Sequence, residues 1–200
     1  MVSKKQERVS SKDAILNAVK RNQPPLVSLP DHYTSEKVGG LEVFTQVLEG
    51  IGGKVHLLDK DENVAIKVKE LFPDARRMVS SITSVDQYFL KEYADIKHHS
   101  LHDVDVVIIE STLGVAENGS VWVTGEETKI RVLPFIGEHL VVVLPSSSIV
   151  STMHDAYNII SNDDYDFGVF IAGPSKTADI EQSLVLGAHG PKSMTILVLM

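Results

Sequence analysis

A chain of 200 residues is long enough for one domain, or for one domain with an arm, and for a substantial core. Apolar residues at 43%, charged residues at 23% and a formal net charge of −8 describe an ordinary globular protein without the basic stripe of a nucleic-acid binder. There is no cysteine, which excludes disulfides, a thiol nucleophile and an iron–sulfur cluster held by this chain's own thiolates. No apolar run of about 18 residues occurs, and no secretory segment follows Met1. A cytoplasmic protein with neither membrane nor nucleic acid as a partner is therefore expected.

In chain order, Ser10 or Ser11 starts a short helix carrying Ile15, Leu16 and Val19, which Asn22 and Pro24-Pro25 end. Leu26 to Thr34 reads as an extended connector. Val38, Leu41, Phe44, Val47, Leu48 and Ile51 recur at helical spacing, and Gly52-Gly53 stops that helix. Lys54 to Leu58 is a strand. Asp59 precedes a helix with Val64, Val68, Leu71 and Phe72, closed by Pro73. Arg77 to Ile82 reads as a second strand, followed by a helix around Val85, Phe89 and Tyr93.

Val104 to Ile109 is a continuous β-branched run, the pattern of a central parallel strand. After Glu110-Ser111-Thr112-Leu113-Gly114, the Asn118-Gly119 pair marks a hairpin leading into Ser120 to Thr124. A polar loop follows, then a buried strand from Leu140 to Leu144. Ser146 to Ser148 then start a helix through Ile149, Met153, Tyr157 and Ile160. Phe167 to Ala172 reads as a strand buried on both faces, broken at Gly173-Pro174. Ser175, Lys176 and Thr177 then lead into Asp179 and Glu181, acidic residues that suit a helix N-terminus. Thr195 to Leu199 is the last strand. Strands alternating with helices imply a mostly parallel sheet covered on both faces, with one antiparallel hairpin insertion. Residues 1–25 read as an N-terminal arm and residues 26–200 as a single α/β domain.

Three constellations suit chemistry. In the first, the turn Gly173, Ser175, Lys176, Thr177, Asp179 offers hydroxyls, a cation and free amides to a small carboxylate or phosphate at the carboxyl edge of the sheet. The plainer reading makes Ser175 or Thr177 a helix cap and leaves Lys176 in solvent. In the second, Glu117 beside Asn118-Gly119-Ser120, with Glu110, Ser111 and Thr112 nearby, suits a general base or nucleophile. Equally, Glu117 is a solvated neighbour of a backbone turn. In the third, His189 lies between Gly187-Ala188 and Gly190-Pro191 on backbone free to approach a ligand, as an acid/base group or as a partner of a carbonyl. On a helix His98 and His102 would face the same way, as zinc ligands do, but the His98-His99-His102 cluster lacks the zincin Glu and further spaced ligands, and no metal is expected.

The run Gly173-Pro174-Ser175-Lys176-Thr177-Ala178-Asp179-Ile180-Glu181, followed by Leu184 to Pro191, closely resembles the signature of the lactate utilization protein C family, the LUD-domain proteins. Ala116-Glu117-Asn118-Gly119-Ser120 resembles that family's second motif, and the similarity runs through essentially the whole chain. Lys176 and Lys192 stand where the family commonly has Arg, which keeps the charge and loses the bidentate fork. Asn118-Gly119-Ser120 replaces Thr-Gly-Thr, and Ala188 replaces Val. The resemblance implies a three-layer α/β/α sandwich like ribose-5-phosphate isomerase and the CoA transferases. It also implies an accessory role in oxidising L-lactate to pyruvate beside two iron–sulfur partners, lactate utilization proteins A and B. No cofactor is then expected in this chain, and the clusters belong to the partners. The competing expectation is a stand-alone enzyme or binding module for a phosphorylated, carboxylated or acyl-CoA small molecule, with Glu117 and His189 reactive and Gly173, Ser175, Lys176, Thr177, Asp179, Gly187 and Gly190 forming the anion site.

Overall fold

The computed structural model describes residues 10–27, 39–59, 61–83, 85, 98–180 and 183–200. The chain divides into two compact units, Met1–Thr34 and Ser35–Met200. In the first, α1 (Ser11–Arg21) starts where Ser10 accepts the Asp13 amide and ends at Asn22, as its capping residues predict. Ile15, Leu16 and Val19 are exposed on it.

The second unit opens with α2 (Leu41–Gly50), three residues later than the position of Val38 suggests. Gly39 takes a φ of 87°, which an interior helical residue does not adopt, and Gly40 is the N-cap. Then come β1 (Lys54–Leu58), α3 (Val64–Leu71) with the Asn63 side chain accepting two first-turn amides, and β2 (Met78–Ser80). The helix expected around Val85, Phe89 and Tyr93 falls mainly on 86–97, outside the described residues. His98–Leu101 forms a single tight turn of helix before β3 (Val106–Glu110).

β4 (Leu113–Val115) and β5 (Ser120–Thr124) form the hairpin that Asn118-Gly119 predicts. Two single-turn helices, α4 (Gly125–Thr128) and α5 (Leu133–Ile136), replace the expected polar loop. Then follow β6 (His139–Pro145), a tight turn at Ser146–Ser148, β7 (Ile149–Val150) and α6 (Met153–Ile160). The helix expected from Ser146 onward therefore starts late. Thr152 and Asp155 form a reciprocal capping box that sets its first turn, and Ile149 pairs with Gly114 instead.

The last elements are β8 (Gly168–Ile171), β9 (Lys176–Ile180), β10 (Ser183–Leu186) and β11 (Ser193–Leu199). Two expectations change here. β8 is not a central parallel strand; it lies at the edge of a second sheet, antiparallel to β5. The segment after Gly173-Pro174 is not a helix start, because residues 176–180 pair antiparallel with β10 as a separate ribbon. An apolar run of this length does not by itself separate a central strand from a half-covered edge strand.

The main sheet is parallel throughout, in the order β1-β11-β6-β3-β2. One face, through Val106, Ile108, Val141, Val143 and Leu197, packs on Ala65 and Val68 of α3. The other, through Val107, Ile109, Val142, Leu144 and Ile196, packs on Phe44 and Leu48 of α2 and on Val121 and Val123 of β5. The second sheet, β7-β4-β5-β8, lies on that face, and its outer side (Leu113, Val115, Trp122) is covered by Ala156 and Ile160 of α6. The expected mostly parallel α/β layering is present, and the antiparallel insertion has grown into a layer of its own.

One contact controls how the insertion seats. The hairpin turn crosses α2 so closely that a Cβ on Gly119, whose φ is 66°, would lie 2.9 Å from the Leu48 nitrogen. Gly119→Ala is expected to destabilise the fold by about 1–3 kcal/mol, through strain and forced separation of turn and helix. Gly50→Ala, where an added Cβ meets open space at the end of α2, is expected to stabilise it by up to about 1 kcal/mol. Urea midpoints of the two variants check both signs.

Candidate functional site

The two motifs singled out in the sequence converge on the last turn of α2. Gly119 packs on Leu48, and a Cβ on Gly173 (φ 71°) would lie 3.2 Å from the Ile51 carbonyl oxygen. The Lys176 ammonium donates to that same carbonyl. Carbonyls at a helix C-terminus have no partner within the helix and carry negative partial charge, so a cation there is stabilising. Lys176 thus seals the end of α2.

The second late loop is tied to the first through backbone. Ser175 N–H donates to the Pro191 carbonyl at 2.9 Å, and Gly187 N–H donates to the Ser175 carbonyl at 3.0 Å. Both backbone groups of Ser175 are thereby committed, which holds it extended and bars it from a helical N-cap role. A Cβ on Gly190 would sit 3.2 Å from Ser175 Cβ, so the glycine lets the two loops touch. Gly187, at φ 79°, turns the chain where a Cβ would strike Lys192 Cγ at 2.4 Å. His189 and Ala188 are exposed at the tip of this loop. Thr177 is half-buried opposite Val185; Asp179 lies on β9, and its side chain is outside the described residues.

These loops stand at the amino edge of the main sheet rather than the carboxyl edge. Gly52 and Gly53 precede β1, and Lys192 precedes β11. Lys192 Nζ pairs with Glu138 at 3.0 Å, just before β6. The expectation of a carboxyl-edge site assumed that β8 belonged to the parallel sheet, which it does not.

Glu117 is exposed, and its Oε2 accepts the Met153 N–H at 2.8 Å, placing a carboxylate at the positive end of α6. Asn118 Oδ1 accepts from both the Ser120 amide (3.0 Å) and the Ser120 hydroxyl (2.7 Å), which builds the turn. Ser111 is buried, with Oγ 2.6 Å from the Trp122 carbonyl oxygen. Thr112 donates to Glu127 at 3.0 Å, and Glu127 also receives the Thr124 hydroxyl at 2.6 Å. Beside them, at the carboxyl end of β3, Glu110, Trp122, Lys129 and Tyr165 line an open cleft of about 890 Å³.

Sequence reading overlooked His139. It starts the buried strand β6, its Nδ1 lies 2.8 Å from Ser193 Oγ at the start of β11, and the Phe72 ring packs against it with centroids 5.0 Å apart. Its only sequence signal is a polar residue at the head of an apolar run. Burial, chiefly, lowers its pKa below the ordinary 6.5; Glu138 and Asp105 oppose the shift, while Lys192 and Lys54 add to it. His56 is lowered too, first by burial and then by Lys67 and Lys54. Asp105 is lowered by the Arg77 and Arg76 amides that its carboxylate accepts. Among the described residues no group of three His, Asp or Glu side chains is placed to hold a metal, and His102 Nδ1 contacts the His99 carbonyl at 3.0 Å. Among the same residues no helix is long and apolar enough to cross a membrane.

With this geometry in place, comparison with known proteins is informative. A family model described as LUD domain matches residues 84–199, more than half of the chain and all the candidate residues above from Glu110 to Gly190. Lactate utilization protein C of Anoxybacillus flavithermus is 37% identical over 90 residues, 44% of this chain and 41% of that protein. The protein of the same name from Oceanobacillus iheyensis is 32% identical over 101 residues, 47% of this chain and 43% of that one. The chain thus matches less than half the length of these curated relatives. An uncharacterized protein of Neisseria meningitidis is 23% identical over 172 residues, 84% of this chain and 70% of its own length. The crystal structure of a DUF162 family protein from Deinococcus radiodurans aligns with a TM-score of 0.59 at 16% identity, covering 80% of this chain and 96% of that one. That likeness shows a shared fold.

The lowered histidines set a pH dependence. Between the ordinary histidine value and the lower folded values the unfolded chain binds more protons, so stability rises with pH across that window. Stability is expected to be flat above about pH 7 and to fall as pH drops below the ordinary value of 6.5. His139→Gln should flatten the slope in that interval, as read from urea midpoints at successive pH values. Asp105 acts lower down: its contribution is present above the ordinary 3.8 and is lost as pH falls further.

Proposed function

We propose that this chain, which belongs to the LUD domain family, is the small subunit of an L-lactate utilization system that oxidises L-lactate to pyruvate beside two iron–sulfur proteins, lactate utilization proteins A and B. The observation that carries this reading is the family match across residues 84–199, joined to the lactate utilization names of relatives above 30% identity. Lactate oxidation releases two electrons. Without cysteine this chain offers no thiolate cage for a cluster, so in this reading the electrons pass to the partners.

The geometry supports a recognition role. Lys176 and Glu117 spend their charges on helix ends, at α2 and α6. His189 instead sits exposed on a loop anchored by Gly187 and Pro191. We assign to that loop, with the Ser175 hydroxyl beside it, contact with a small carboxylate ligand or with the partner subunits.

A strain lacking this chain should lose growth on L-lactate and keep growth on pyruvate, and affinity purification from lactate-grown cells should recover iron–sulfur partners. His189→Ala should reduce lactate growth or partner recovery at least about tenfold with an unchanged melting temperature, because the residue is exposed. Normal growth of the deletion strain on L-lactate would refute the pathway. Normal growth and recovery with His189→Ala would refute the assignment of the loop.

A further inference from the structure

We propose that Asn118-Gly119 is a latent self-modification site, where the folded hairpin turn holds off an irreversible deamidation that proceeds when the turn opens. The chemistry is intramolecular. The Gly119 backbone nitrogen, once it loses its proton, attacks the Asn118 side-chain amide carbon and closes a succinimide ring with release of ammonia. Water then opens the ring at either carbonyl, leaving an aspartate or its isomer linked through the β-carboxyl. Water is the sole co-reactant. Glycine obstructs the attack least of all residues, because it has no Cβ, and no other asparagine in the sequence is followed by glycine.

In the folded turn the reacting groups are already committed. Gly119 N–H donates to the Val115 carbonyl at 2.9 Å, which holds the proton that the nucleophile has to lose. Asn118 Oδ1 accepts the Ser120 amide at 3.0 Å and the Ser120 hydroxyl at 2.7 Å, which fixes the side-chain amide in one orientation. The neighbouring backbone is pinned as well. Ala116 and Glu117 donate their amides to the Val150 and Ser151 carbonyls at 2.9 and 3.0 Å. Gly119 and Ser120 are buried, which keeps hydroxide from the amide. Two donors on a carbonyl oxygen also make its carbon a better electrophile, so an opening that frees only Gly119 is enough to start the reaction.

The consequence follows from where the turn sits. The β-linked isomer lengthens the main chain by one carbon beside Gly119, where an added Cβ would already lie 2.9 Å from the Leu48 nitrogen. A turn with that extra atom cannot reseat on α2 without displacing it. Each opening that ends in the isomer therefore removes a molecule from the folded population for good. The site acts as a one-way record of how often the hairpin turn has left the helix.

The full chain is incubated at mildly alkaline pH, in buffer and in denaturing guanidinium chloride, and the peptide carrying Asn118 is followed by mass spectrometry. Methyl labelling by an isoaspartyl methyltransferase reports the β-linked isomer. Deamidation at Asn118 should be at least about tenfold slower in buffer than in denaturant, since it tracks the open fraction of the turn. Ser120→Ala removes the hydroxyl donor and should speed the reaction in buffer about fivefold, the effect of one hydrogen bond, with the rate in denaturant unchanged. If Ser120→Ala fails to fold, the comparison of buffer with denaturant decides alone. Equal rates in the two solvents overturn the proposal, and so does a folded Ser120→Ala chain that reacts no faster than the parent. Methyl-labelled chains that keep the parent's guanidinium midpoint overturn the claim that the turn cannot reseat.

Discussion

The C-terminal turn of α2 is the contact on which the rest of the second unit depends. Three remote segments meet there: the Asn118-Gly119 turn on Leu48, Gly173 on Ile51, and the Lys176 ammonium on the Ile51 carbonyl. The first two are close approaches that a glycine permits, and the third uses a helix-end carbonyl without a partner inside the helix. Because Leu48 is also fully buried in the core shared by the main sheet and β5, the same turn couples the layers to the loops. A small displacement of α2 would disturb both motifs together.

This arrangement explains why the motifs read like a binding site. Glycines at 119, 173, 187 and 190, with a lysine and hydroxyls, are what an anion cradle requires, and they are also what three loops need to pack backbone against backbone. Gly190 admits Ser175, and Gly187 admits Lys192. The chemistry left over is small and specific: His189 at an exposed loop tip, and a Lys192–Glu138 pair beside it in sequence and strand order. An exposed loop tip of this kind suits contact with another molecule more than it suits a closed reaction chamber.

Legibility in the sequence followed the strength of the local signal. Ser10 placed the start of α1 closely, because a cap is satisfied by amides two or three residues away, whereas α3 starts after the Asn63 cap rather than at Asp59. Asn118-Gly119 placed the β4–β5 hairpin for the same reason. The region after Gly173 was misread because Asp179 and Glu181 look like helix-start acids, whereas the pairing of Thr177 with Val185 and the capture of Ser175 by Pro191 and Gly187 are long-range backbone bonds. His139 was invisible since its partners, Ser193 and Phe72, are far away in the chain.

By itself the sequence determined the class of sheet, the position of most strands, the absence of cysteine chemistry, and the two motifs by which the family is recognised. These are properties of composition, of short-range periodicity and of residues within a few positions of one another. Tertiary structure alone decided that β8 leaves the parallel sheet for an antiparallel edge, that the late loops gather at the amino edge, and that Lys176 closes a helix instead of standing free. Those outcomes turn on which distant backbone groups satisfy one another, and a strand's hydrophobic pattern is the same whichever neighbour it finds.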